Sequence, residues 1–148
     1  MIARDDIARQ FVGAWRLVAS QQKLADGTTR NNPFYGPGGV GYIIYSDAGY
    51  MCVVNMDPSR PQWKNEFAPT EAELRSAMGG LMAYAGAYEV NAKERYVIHH
   101  VEVDKIPNRV GAKQKRFFTF SESRLILRPE PPLPAGVTDY WLTWERLG

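Results

Sequence analysis

The sequence predicts a mainly β protein, an antiparallel up-and-down β-barrel of eight or nine strands with a short N-terminal helix and one inserted helix. Three observations carry this expectation. Runs rich in aromatic and β-branched residues follow one another through short turns, several of these runs alternate with a period of two, and only two segments carry helical signals. Two helices are too few to cover the sheet, so its apolar face must be buried against a second sheet or by closure. A barrel closes and leaves room for one small ligand. A β-sandwich satisfies the same pattern and stays open as the alternative.

The elements follow in order. Asp5 and Asp6 are placed to cap a short helix and oppose its dipole, with Ile7 and Phe11 as its apolar edge over one end of the fold. From Gly13 the period changes: Trp15, Leu17 and Ala19 alternate with Arg16, Val18 and Ser20, as in a strand with one side buried. Asp26-Gly27 reads as a turn, and NNPFYGPGGVG (31–41) is too rich in proline and glycine for regular structure and suits a loop at a rim. Val40 to Ser46 and Tyr50 to Met56 form the clearest hairpin, with Gly49 in the left-handed position of a three-residue loop. Both faces of that hairpin are apolar, so alternation does not say which points inward.

A proline-broken connection over 57–69 offers Trp63 and Phe67 as anchors. Thr70 and Glu73 then make a capping box for a helix through about Ala83, with Leu74, Met78, Leu81 and Met82 on one core-packing stripe and Gly79-Gly80 weakening its middle. Pro107-Asn108 with Gly111 makes a later turn, followed by strands at Lys113 to Phe120 and Arg124 to Arg128. RPEPPLPAG (128–136) has too many prolines to pair inside a sheet, and the last strand, Val137 to Leu147, puts Trp141 and Trp144 on opposite faces.

Between the helix and that turn lies YAGAYEVNAKERYVIHHVE (84–102), which holds both histidines of the chain. It reads as a hairpin turning at Asn91 to Glu94, with Tyr88 opposite Val97 and Gly86 opposite His99. A loop one residue shorter pairs His99 with Ala87 instead. In the first register Tyr84, Gly86, Tyr88, Val97, His99 and Val101 share one face, and Ala85, Ala87, Glu89, Ile98, His100 and Glu102 the other. His99 therefore lies among apolar neighbours, as a hydrogen-bonded interior histidine or as the polar handle of a ligand cavity, and His100 lies among carboxylates.

Size and charge limit the function. A chain of 148 residues fits a single domain (1–148) that needs no metal or disulfide for stability. A net charge of +2 with 23% charged residues lacks the dense basic field of a nucleic-acid binder, and Arg109, Lys113, Lys115 and Arg116 read as a solvated strand face. Cys52 stands alone, Asp5 and Asp6 occupy the place of a signal peptide's apolar run, and no segment approaches a membrane span. The expectation is a soluble, cytoplasmic protein without membrane or nucleic-acid partners, its oligomeric state open and a dimer included. Adjacent histidines on a strand point opposite ways, and the chain has no Gly-x-Ser-x-Gly, Walker or Rossmann motif, so no metal or nucleotide cofactor is expected.

Gly13-Ala14-Trp15 at the start of the first strand resembles the Gly-x-Trp signature of lipocalins, and Arg146 in WERL matches the arginine that often stacks on that tryptophan. FVGAWRLVAS, VGYIIYSDAGYM, AYAGAYEV, HHVEV and the Pro-Asn before Gly111 are similar to the lipocalin-like domain family of small bacterial and fungal proteins, from about Phe11 to Leu147. That family often has an aromatic after its Pro-Asn, where this chain has Arg109. The resemblance implies a closed barrel with an internal cavity, serving as a carrier in some branches and as a cofactor-free enzyme in others.

Such a cavity needs apolar walls and a few polar groups. The candidate ligand-binding residues are Trp15, Tyr45, Tyr88, His99, Arg116, Phe118 and Trp144, with His99 as the candidate catalytic group. The first expected function is binding of a small, largely apolar molecule. The alternative is a cofactor-independent isomerase, cyclase or lyase, with His99 as general acid or base and a tyrosine or Arg116 stabilising a developing oxyanion. Trp15 and Arg146 are expected to close one end of the barrel by stacking.

Overall fold

The structure, a computed structural model, describes residues 4–148. Helix α1 (Arg4–Phe11) leads into β1 (Gly13–Leu24), β2 (Thr29–Asn31), β3 (Val40–Tyr45), β4 (Tyr50–Met56), helix α2 (Glu71–Met78), β5 (Leu81–Asn91), β6 (Tyr96–Asp104), β7 (Lys113–Ser121), β8 (Arg124–Pro129) and β9 (Val137–Leu147). From β3 to β9 each strand pairs antiparallel with the next, and β1 pairs with both β3 and β9. That second pairing closes an up-and-down barrel. The sandwich alternative is thereby removed. The ninth strand, β2, lies outside the closure and pairs with the far half of β1, along the edge where β3 stops.

Period-two alternation orients the strands. In the β3–β4 hairpin, whose Gly49 has φ +89°, Ile43, Tyr45, Met51, Val53 and Asn55 point inward, and Tyr42, Ile44, Tyr50 and Val54 are exposed. The question left open by its two apolar faces is answered by closure, which both faces would have tolerated equally on their own. In β1 the alternation is broken by a bulge between Leu17 and Ala19. Trp15 and Leu17 are buried as expected, but beyond the bulge Ser20 and Gln22 point inward in place of Ala19.

Four local expectations are corrected. Helix α1 begins at Arg4, so Asp5 and Asp6 lie within the helix instead of ahead of it, and Asp6 still opposes the dipole from the first turn. The capping box at Thr70 and Glu73 forms, but α2 ends at Met78; Gly80 takes φ +67° and turns the chain into β5, so Leu81 and Met82 are strand residues. Leu74 and Met78 are exposed, and none of the α2 residues is buried. In the connection before it, Trp63 bonds the Glu73 carbonyl, whereas Phe67 is 88% exposed and anchors nothing.

The histidine hairpin keeps its predicted faces and changes its register. Asn91 pairs with Tyr96 and Tyr88 with His99, because the turn is made by residues 92–95, with Arg95 at φ +59°. Asn91 ties this turn itself: its Oδ1 accepts from the Glu94 amide at 2.9 Å and its Nδ2 donates to the Tyr96 hydroxyl at 3.1 Å. The sum of paired residue numbers moves by two from the expected register, which preserves the parity of the side chains. A second irregularity lets Gly86 pair with Val101 and Ala85 with Val103, so Glu102 bulges and its carboxylate accepts from the Ala87 amide at 2.7 Å.

The core is divided along the barrel axis. At the end covered by α1, Phe11 is fully buried and meets Tyr45, Phe118 and Phe120 edge-to-face at 4.9–5.1 Å. These rings, with Trp15 and Tyr88, fill that half. The opposite end carries the α2 connection, the turn at 107–111 and the proline-rich segment before β9. Among the described residues no helix is long and apolar enough to cross a membrane.

Candidate functional site

A cavity of about 240 Å³ occupies the open half of the barrel. Ile43, Val53, Leu127 and Leu142 form its apolar walls, Met82 and Pro132 to Pro134 its mouth, and Asn55, Tyr84, His99, Arg116, Tyr140 and Trp144 its polar groups. Each polar group comes from a different strand, except that β9 supplies both Tyr140 and Trp144. A second chamber of about 300 Å³ adjoins it, shares Met82, Pro134 and Tyr140, and carries Asp104, Lys105 and Arg109.

His99 sits at the floor. Its Nε2 lies 2.7 Å from the Tyr45 hydroxyl and its Nδ1 2.7 Å from the Tyr84 hydroxyl. Burial, reinforced by the Arg116 guanidinium and by His100, pushes its pKa down to about 3, so the ring is neutral near pH 7. A neutral imidazole has one donor and one acceptor nitrogen. Among the described residues Tyr45 has no other hydroxyl partner, so it must donate to Nε2 or leave its proton unpaired in the core, at a cost of about 1–3 kcal/mol. Tyr45 therefore donates to Nε2, Nδ1–H donates to the Tyr84 oxygen, and the Tyr84 proton is left for the cavity.

Burial raises the pKa of both tyrosines, and the adjacent Arg116 partly offsets this at Tyr84, so both are protonated near neutrality. Arg116 donates to the Lys115 carbonyl and to Gln114 Oε1, both at 3.0 Å, which leaves other N–H groups of its fork unused. The remaining wall is set by the β1 bulge. Asn32 donates to the Tyr140 hydroxyl at 2.7 Å and to Ser20 Oγ at 3.3 Å, and this fixes Tyr140 at the mouth.

The candidate residues fall into two groups. His99, Arg116 and Trp144 line the cavity. Tyr45 lies behind His99, and Tyr88 packs edge-to-face on Tyr45 at 4.9 Å and donates to the Ser46 carbonyl. Trp15 and Phe118 belong to the filled half, Trp15 donating to the Phe11 carbonyl at 2.9 Å. Arg116 leaves the solvated face expected for the basic cluster because it alternates inward with Phe118, whereas Lys115 lies outside over the Tyr96 ring. His100, on the outer face, pairs with Glu89 at 3.0 Å. Asn55 and Tyr140 are site residues that sequence reasoning does not single out. For Tyr84 the available signal is its place on the His99 face. Among the described residues no group of three His, Cys, Asp or Glu side chains is arranged to hold a metal ion.

A family model described as a lipocalin-like domain matches residues 12–147. No curated protein matches the chain. Among solved structures it is similar to a lipocalin-like protein from Bacteroides uniformis ATCC 8492, at 16% identity and a TM-score of 0.47, covering 93% of this chain and 99% of that one. It is also similar to a point mutant of the fluorescent protein UnaG, at 15% identity and a TM-score of 0.36, covering 94% of this chain and 97% of that one.

Proposed function

We propose that this chain, which belongs to the lipocalin-like domain family, binds a small, largely apolar molecule inside its barrel. The observation that carries the proposal is the half-empty interior: aromatic rings fill one end, and a cavity of about 240 Å³ with mostly apolar walls and a few convergent polar groups opens at the other. That volume lies just below the roughly 300–1,000 Å³ typical of sites for drug-sized ligands, which favours a compact occupant. The test is a fluorescence titration with 1-aminoanthracene on the intact protein and on Val53→Trp, a substitution that fills the cavity. Saturable one-to-one binding, lost in the folded variant, is expected. A flat titration of the wild-type protein overturns the reading.

A second reading is a cofactor-independent isomerase, cyclase or lyase. It is favoured by the Tyr45–His99–Tyr84 chain, which delivers one hydroxyl proton to the cavity. In this reading Tyr84 touches the substrate as general acid and His99 positions it, because both ring nitrogens are engaged. Small ketones and enones incubated in deuterated water give the discriminating experiment. Solvent deuterium incorporated by the wild-type protein and not by Tyr84→Phe supports chemistry, and no incorporation with any of them favours binding alone.

A further inference from the structure

The polar groups of the cavity are unbalanced: they are rich in donors. Trp144 is 1% exposed, its Nε1–H can only donate, and it has no partner among the described residues. In the His99 tautomer argued above, the Tyr84 hydroxyl, 2.7 Å from Nδ1, accepts from the ring and offers its proton. Arg116 carries a full charge and unused N–H groups, and no carboxylate among the described residues pairs with it. The fully buried Asn55 amide, which can donate or accept, is also unpartnered. In the adjoining chamber Lys105, which donates to the Met78 and Leu81 carbonyls, and Arg109 outnumber Asp104, whose Oδ1 accepts from the Ile106 amide and whose buried Oδ2 has no partner among the described residues.

We infer that the occupant is a small apolar carboxylic acid, bound as its carboxylate with the charge on Arg116 and with Trp144 Nε1–H and the Tyr84 hydroxyl as further donors to its oxygens. This rests on the binding function proposed above and gives it a ligand class. No protein acceptor meets the buried indole N–H, and the guanidinium keeps unused N–H groups; a carboxylate satisfies both because it only accepts. A neutral amide of the same shape fails twice: it lacks the charge, and its NH₂ meets further donors. An amine is repelled.

Isothermal titration with 3-phenylpropanoate, 3-phenylpropanamide and 3-phenylpropan-1-ol tests this on the intact protein. The acid should bind about tenfold tighter than either neutral analogue, a factor in the range of one charge-assisted hydrogen bond. Arg116→Gln should abolish the preference for the acid over the alcohol. In a ¹H–¹⁵N spectrum the Trp144 indole proton should move downfield with the acid and not with the alcohol. Saturable binding of all three without preference for the acid overturns this inference and leaves the binding function standing, as does a preference that survives Arg116→Gln. No saturable binding of any of the three removes both.

Discussion

The Arg146 guanidinium lies 4.2 Å from the centroid of the Trp15 ring and donates to the carbonyls of Val12 and Gln10. Two residues at opposite ends of the chain thus join the first and last barrel strands and hold the C-terminus of α1 against the closed end. Arg146→Ala removes the cation–π contact and orphans the two carbonyls, so unfolding by denaturant should show a loss of about 2 kcal/mol. Trp15 and Arg146 lie outside the cavity lining, so affinity for 1-aminoanthracene should be unchanged in the folded variant. A variant of full stability that no longer binds would invert the assignment of the closed end.

The tautomer of His99 is the next expectation. If Tyr45 donates to Nε2, ¹⁵N spectra of the protein at neutral pH should show Nδ1 carrying the proton and Nε2 bare. Tyr45→Phe then leaves Nε2 unpaired and should cost about 1–3 kcal/mol in stability, with the tautomer free to reverse. Finding the proton on Nε2 in the wild-type protein would turn the chain round and withdraw the Tyr84 proton from the cavity.

Stability should depend on pH through the same residue. The pKa of His99 is about 3 in the folded protein, against an ordinary value of 6.5, so between these values the unfolded chain binds a proton that the native barrel does not. Stability is therefore full above about pH 6.5 and falls as pH drops, by at most about 1.4 kcal/mol per pH unit. Asp26, Asp57 and Glu73, whose pKa values are lowered by hydrogen bonds, add losses only in the lower carboxylate range. Chemical denaturation of the wild type and His99→Gln between pH 5 and 7 isolates the histidine: the variant should have the flatter curve.

Gly86 is required by the β6 bulge. A Cβ added there would overlap the His100 carbonyl, which is backbone and cannot rotate away. Gly86→Ala should destabilise the protein by about 2 kcal/mol and disturb the pairing beside His99. Thermal melts together with the His99 ring resonances measure both effects, and unchanged values would mean that the bulge relaxes without cost.

The elements are legible in the sequence because their signals are local. Gly49 forms its turn from its own φ preference, Thr70 and Glu73 cap α2 through atoms three residues apart, and His99 faces the apolar side because alternation within a strand needs no partner. Expectation and structure part where one local signal competes with another. The capping box promises a longer helix, and Gly79-Gly80 end it after Met78. Asn91 carries the composition of a turn, yet its side chain bonds on both sides of that turn and makes it the last strand residue.

Barrel closure is readable in kind from the scarcity of helices, and the aromatic supply for a filled interior is plain in the composition. Which interior residues are packed and which line a cavity is not. Trp15 and Trp144 both alternate inward, yet one lies under Arg146 in the filled half and the other faces the space beside Arg116. The difference is height along the barrel axis, which depends on strand register, on the bulges at Leu17 and Gly86, and on Phe11 arriving from a helix to fill one end. Side-chain direction is a property of one strand's covalent geometry. A cavity is the space left after every strand has been placed, so Asn55, Tyr84, Arg116 and Trp144 meet only when every register from β4 to β9 has been set by the closed sheet.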